Sequence, residues 1–125
     1  EDPAQLSIGL DRLLPVGTLE GIDAAVRLLL QHRERRSRIL VVGDFDADGA
    51  TGTALAMRAL NLMAATSVDF RVPNRFEFGY GLSPEIVAVA ARHKPDLLIT
   101  VDNGTSSVAG VAACSNSTAN NQTKN

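Results

Sequence analysis

Three aspartates occupy alternate positions in Asp44-Phe45-Asp46-Ala47-Asp48, and Gly49 follows them. Where a strand ends, a period of two sends alternate side chains to one face, so these carboxylates are expected to converge. Crowded carboxylates repel one another until a cation neutralises them, and hard oxygen ligands suit Mg²⁺ or Mn²⁺. Gly49 is read as the freedom needed for a sharp turn into the next helix. The bland reading is a solvated acidic turn capping that helix; three acids and a glycine at a strand end count against it.

Two named rivals are tested by the letters. A calcium loop of the EF-hand type begins the same way but needs Glu at its twelfth position. Counted from Asp44 that position is Leu55, and an apolar run stands where a helix should precede the loop. Aspartyl phosphatases of the haloacid dehalogenase type also place Asp-x-Asp after an apolar strand, with Thr two residues beyond the second Asp. Here that slot holds Asp48 or Ala50, with Thr51 one residue further, so this phosphatase class stays open as an alternative.

Two further segments carry chemistry-bearing residues. Val72-Pro-Asn-Arg75-Phe76-Glu-Phe-Gly79-Tyr80-Gly81-Leu-Ser83 combines glycines, aromatics and one arginine. Arg75 is a candidate for forking onto a phosphate and Phe76 or Tyr80 for stacking on a base; spacing alone favours a loop whose aromatics cover the sheet edge. Asp102-Asn103-Gly104 reads either as a simple turn or as a metal ligand, Asp102, beside two substrate contacts, Asn103 and Gly104. Its place beside the first acidic segment favours the ligand.

Positioning these segments takes an α/β layer: a partial parallel sheet with flanking helices. Arg38–Val42 is a branched apolar run ending at Gly43, and Ser67–Val72 and Asp96–Val101 follow as second and third strands. Between them, residues 50–63 read as a helix, and Ser83-Pro84-Glu85 opens another running to about His93. Ahead of the first strand, Thr18 is expected to cap a helix to about His32, with Ile22, Val26, Leu29 and Leu30 on one stripe. Arg33, Arg35 and Arg36 near its end read first as a solvated helix terminus that suits the dipole, and second as a phosphate contact. Parallel sheets of this kind gather ligands beyond the carboxyl ends of their strands, where all three unusual segments fall.

The 125 residues give room for one domain, divided as a connecting segment 1–17, a domain 18–111 and a polar tail 112–125 that lacks large apolar residues and is expected to be disordered. A net charge of −2 is no sign of a dedicated duplex-DNA binder, although an acidic metal site in a nuclease offsets basic groove residues. A single cysteine, Cys114, cannot form an internal disulfide, which favours a reducing cytoplasm; no apolar run is long enough to span a membrane.

VVGDFDADGATGTAL, VPNRFEFGYGLSPE and LLITVDNGTSS resemble, in order and spacing, the RecJ branch of the DHH phosphoesterases, and GTLEGIDAAVRLLLQHRERRSRI is similar to that branch's lead-in helix. The resemblance covers roughly residues 13–110. It implies metal-dependent hydrolysis of single-stranded DNA from the 5′ end in bacterial repair and recombination, with single-strand-binding protein and a helicase as partners. Asp46 and Asp48 match the branch's metal-binding acids, with Asp44 in the same acidic signature. Asp102 matches an aspartate of the same two-metal centre, filled by Mn²⁺ or Mg²⁺, and Arg75 matches a basic residue near the phosphate. No Asp-His-His triplet occurs in the sequence, and His32 and His93 are expected at surface positions. The expectation is therefore an incomplete DHH domain, inactive by itself. Two alternatives stand beside it: a DHH phosphodiesterase acting on short oligonucleotides or cyclic dinucleotides, and an inactive truncated product.

Overall fold

The computed structural model describes residues 9–10, 13–63 and 67–122. The chain divides into two compact units, Glu1–Gln31 and His32–Asn125. The division falls inside the first helix, later than the boundary expected at residue 17.

In the first unit a 3₁₀ turn covers Val16–Thr18, and helix α1 (Ile22–Glu34) starts four residues beyond Thr18. Thr18 is not its cap: the hydroxyl donates to Pro15 O at 2.7 Å inside the 3₁₀ turn. Gly21, at φ 75°, then breaks the chain direction before α1 begins.

The second unit holds strands β1 (Arg38–Gly43), β2 (Ser67–Arg71) and β3 (Leu97–Val101), paired in the order β2-β1-β3 with both pairings parallel. Expected strands and observed strands agree to within a residue or two. Helix α2 (Ala47–Leu62) links β1 to β2; a short α3 (Arg75–Phe78) and α4 (Pro84–Ala91) link β2 to β3, and α5 (Val108–Gln122) follows. β1 is central, and Ile39 to Val42 are at most 2% exposed, each burial worth about 1.5–3 kcal/mol before entropy is charged.

Alternation along β1 decides which helix covers which face. Leu40 and Val42 form a cluster with Leu82, Ile86, Val87 and Ala90, against which Ala113 and Cys114 also pack. Gly43, on the other parity, meets α2: a Cβ there would sit 2.0 Å from Thr53 Oγ1. The sheet is thus covered on both faces, α4 and α5 on one and α2 on the other. Ser83 caps α4 as expected, its Oγ accepting from Ile86 N at 3.3 Å.

Two expectations are corrected. Helix α2 begins at Ala47 and not at Ala50, because Asp46 is its N-cap. Residues 112–122 are helical where a disordered tail was expected. The reason is docking: Gly110 lies so close to Leu82 that a Cβ would meet its carbonyl oxygen at 2.1 Å. Ala113 and Cys114 pack on the core, and a helix nucleated this way extends through small polar residues at little further cost.

Candidate metal centre

The chain leaves central β1 first toward β2 on one side and then toward β3 on the other. A crevice opens at that reversal, beyond the carboxyl ends of β1 and β3. Asp44 follows the last residue of β1 and Asp102 follows the last residue of β3, so the topology sets them side by side. The ends are tied, for Asp44 N donates to Val101 O at 3.2 Å.

Asp44 is only 7% exposed. Its Oδ1 accepts from Phe45 N at 2.7 Å, while its Oδ2 is buried without a hydrogen-bond partner. An orphaned carboxylate oxygen in a dry site is costly unless something positive meets it. Asp46 uses Oδ1 to accept from Gly49 N at 2.9 Å, which fixes its side chain at the positive end of α2. Asp102 sits in the left-handed region at φ 59°, one of the few non-glycine types that tolerate it.

Oxygens of Asp44, Asp46 and Asp102 all lie within 4.8 Å of one another. Ligands of a Mg²⁺-sized ion stand about 3.0 Å apart when adjacent and about 4.2 Å when opposite, so the three acids would draw together around one hard cation. The donor set, all carboxylate, with one buried oxygen unsatisfied, fits such an ion. Asp102 responds to the crowding. Lost hydration first, then the charges of Asp46, Asp48 and Asp44 and a hydrogen bond with Asp46, push its carboxyl above the ordinary range. Asp102 stays solvent-exposed, so the repulsion is the part a cation would relieve.

Asp48 departs from the expected convergence. The alternation ends at Asp46 because the helix starts at Ala47, and Asp48 turns outward, exposed, in the first turn of α2. It lies outside the three-acid group yet close enough for its charge to act on Asp102. Asn103 Nδ2 donates to Val42 O at 3.2 Å and to Val101 O at 2.9 Å, clamping the two strand ends that carry Asp44 and Asp102. Gly104, at φ 101°, closes the turn where a Cβ would lie 2.7 Å from Thr100 Oγ1. Arg75 opens α3, and its side chain lies outside the described residues. His32 bonds Ser37 Oγ at 3.0 Å and His93 accepts from Arg71 Nε at 3.1 Å, so neither histidine touches the acids.

Sequence reasoning missed how the glycines act. Gly49 serves close approach and not a turn: it is buried in α2, and a Cβ would lie 2.4 Å from Asp44 O. Gly43 and Gly49 together let α2 lie against the end of β1. The available signal was a glycine on each side of the acidic segment. The Gly79–Ser83 loop also reaches the centre, since Tyr80 meets Phe45 edge to face at 6.4 Å between ring centroids. An open cleft of about 900 Å³ runs beside it, bounded by Tyr80, Gly81, Thr100, Asp102 and Ser107.

Fold and site define a parallel α/β domain with a carboxylate centre for a hard cation at its switch point. The profile of the DHH family, N-terminal domain, matches residues 38–121, and the chain belongs to the DHH family. The single-stranded-DNA-specific exonuclease RecJ of Dickeya dadantii is 54% identical over 107 residues, which is 86% of this chain and 19% of that protein. The protein of the same name from Escherichia coli is 49% identical over 107 residues, 86% of this chain and 18% of its own. A crystal structure of exonuclease RecJ bound to manganese superposes with TM-score 0.64 at 42% identity, covering 73% of this chain and 22% of that one. The chain spans about a fifth of the length of the curated relatives it matches. Among the described residues no helix is long and apolar enough to cross a membrane.

Proposed function

We propose that this chain supplies the metal-binding acids of a manganese- or magnesium-dependent exonuclease that degrades single-stranded DNA from the 5′ end. The observation that carries the reading is the grouping of Asp44, Asp46 and Asp102 oxygens at the switch point, in which the Asp44 carboxylate also keeps one buried oxygen, Oδ2, without a hydrogen-bond partner. Family membership and the single-strand specificity named for the relatives support it. Asp44, Asp46 and Asp102 hold the ion, and Asp48 stands ready at the edge of the group. Paired divalent ions supply a water activated for attack and neutralisation of the departing oxygen of a phosphodiester. The chain's own residues orient the acids: Asp46 through its N-cap bond, and Asp102 through the Asn103 clamp. Phe76, 94% exposed, and Tyr80 offer rings on which bases of a single strand stack. Asn103 and Gly104 border the cleft, and with Arg75 they are the substrate contacts of this reading. Work in repair and recombination, beside single-strand-binding protein and a helicase in a reducing cytoplasm, completes the reading.

The phosphatase alternative loses its support: Thr51 Oγ1 is spent inside α2 on Ala47 O at 2.8 Å, and the centre belongs to another family. A chimera tests the proposal. Residues 38–121 replace their counterpart in the Escherichia coli relative, and release of nucleotides from 5′-phosphorylated single-stranded DNA with Mn²⁺ is measured. Activity is expected, and Asp46→Asn in the chimera is expected to abolish it. A folded, Mn²⁺-binding chimera without activity would overturn the reading. The 125-residue chain alone, without an Asp-His-His triplet, is expected to show no degradation above background.

A further inference from the structure

At the amino ends of the strands, some 20 Å from the acids by the rise of β1, two basic turns meet. One, counted from the last turn of α1 to the first residue of β1, holds Arg33, Arg35, Arg36 and Arg38; the other leads from α4 into β3 and holds Arg92 and Lys94. Six of the chain's twelve Lys and Arg residues stand in these two turns, with Glu34 and Asp96 as their acids. The turns are stitched together: Arg38 N donates to Asp96 Oδ2 at 2.7 Å, and Asp96 N donates to Arg38 O at 2.9 Å. Arg38 also pairs with Asp96 at 3.7 Å. Among the described residues Arg33, Arg35, Arg36, Arg92 and Lys94 are exposed and have no acidic partner.

Both turns carry a second mark. Each helix is followed by a residue in the left-handed region, Arg36 at φ 53° and Lys94 at φ 49°, where glycine is the ordinary choice. A side chain with a Cβ costs roughly 1–2 kcal/mol there. A basic residue accepts that cost twice, in adjacent turns; the helix dipole favours a cation there but does not call for it at the left-handed position itself. Exposed cations without acidic partners, grouped on one rim and lacking Phe, Tyr or Trp between them, recognise a polyanion by charge and not by base.

We propose that this rim binds the phosphate backbone of a single-stranded nucleic acid, independently of the metal centre at the other end of the sheet. Contacts of this kind are sequence-blind and governed by counterion release, about 0.7 in log–log salt slope for each phosphate neutralised on a single strand. With most of the free cations engaged, the slope is about −3.

The test uses the full chain, labelled oligo(dT) and fluorescence anisotropy in EDTA, across a salt series. Arg36→Gly with Lys94→Gly is the informative variant, since glycine suits both backbones and the fold is retained. We expect it to weaken binding about tenfold at low salt and to flatten the slope by about 1.4. Arg58→Gln, an exposed cation on α2, is expected to leave affinity and slope unchanged. Absence of binding by the native chain, or equal binding by the double variant, overturns the proposal. Competition by poly-glutamate as effective as that by unlabelled oligo(dT) overturns the nucleic-acid assignment. Asp44→Asn is expected to leave binding in EDTA intact, so failure of the metal centre and failure of the rim are separate results.

Discussion

The two ends of the sheet treat charge in opposite ways. At the carboxyl ends, Asp44, Asp46 and Asp102 crowd within 4.8 Å, one of them buried, and lost hydration together with their repulsion raises the Asp102 carboxyl. At the amino ends the arginines and Lys94 spread into water, where like charges cost little. Convergence around one buried carboxylate at the edge of an open cleft is useful to a partner that enters as a compact cation. Dispersal on a wet rim suits an extended polyanion. The same sheet, read from either end, thus offers two anion–cation problems with different solutions, and each can be broken separately.

The largest effect should fall on the buried acid. Asp44→Asn keeps the shape of the side chain and removes the charge that the ion meets without solvent. Mn²⁺ affinity of the chain, followed by calorimetry, is expected to drop on the order of 100-fold, with Asp48→Asn costing far less. Equal losses at the two positions would mean that Asp48 coordinates as strongly as Asp44, and that the three-acid grouping is the wrong description of the site.

Next comes the packing that holds those acids in place. Gly49→Ala inserts a methyl 2.4 Å from Asp44 O, where only backbone can give way. A loss of about 1–3 kcal/mol is expected, read as a lowered midpoint in urea, together with weaker Mn²⁺ binding as the Asp44 backbone shifts. No comparable packing protects the rim, whose residues are exposed; substitutions there that leave the backbone unchanged, such as Arg33→Gln, should leave the midpoint near its native value.

The strands, their parallel order and the segments at their carboxyl ends were legible because short branched apolar runs, bounded by glycine and capped helices, leave few arrangements. The acidic cluster was legible as a place and less so as a set. Asp48 was expected to converge with Asp46, but the N-cap at Asp46 converts the alternation into helix one residue later. Which alternation survives depends on a single side-chain hydrogen bond, beyond the reach of spacing. The helix after Val108 was missed for a related reason. Its residues carry no amphipathic stripe, and its order comes from Gly110 fitting against Leu82, a contact between segments far apart in sequence. The Asn103 clamp likewise depends on Val42, whose neighbourhood appears only when β1 and β3 pair.

A smaller effect is expected from pH. The Asp102 carboxyl is raised above its model-peptide value of 3.8 in the folded chain, so folding favours its protonated form. The Asp102 contribution to the stability of the metal-free chain is therefore expected to be fullest below that value and to be lost as pH rises through the raised one, with nothing further lost above it. Asp102→Asn removes this slope and is expected to raise Tm at neutral pH without metal, while saturating Mn²⁺ raises Tm of the native chain only. A Tm rise with Mn²⁺ in the Asn variant as large as in the native chain would show that the ion binds without Asp102.

The smallest expected effect lies at the rim and concerns stability alone. Arg36 follows α1 in the left-handed region, its N donating to Arg33 O at 3.0 Å while Ser37 N donates to His32 O at 2.9 Å, the pattern of a helix stop that glycine usually completes. Arg36→Gly relieves a crowded Cβ, but it also frees the unfolded backbone, which offsets part of the gain. The net change is expected to be a stabilisation of about 0.5–1 kcal/mol, or a few degrees in Tm. The same change at Arg35, whose backbone is not left-handed, should instead destabilise, since glycine there only adds unfolded-state freedom. If Arg36→Gly destabilises as much as Arg35→Gly, the arginine holds the turn together through its side chain. The rim would then be structural, and the contrast between the two ends of the sheet would reduce to the acids alone.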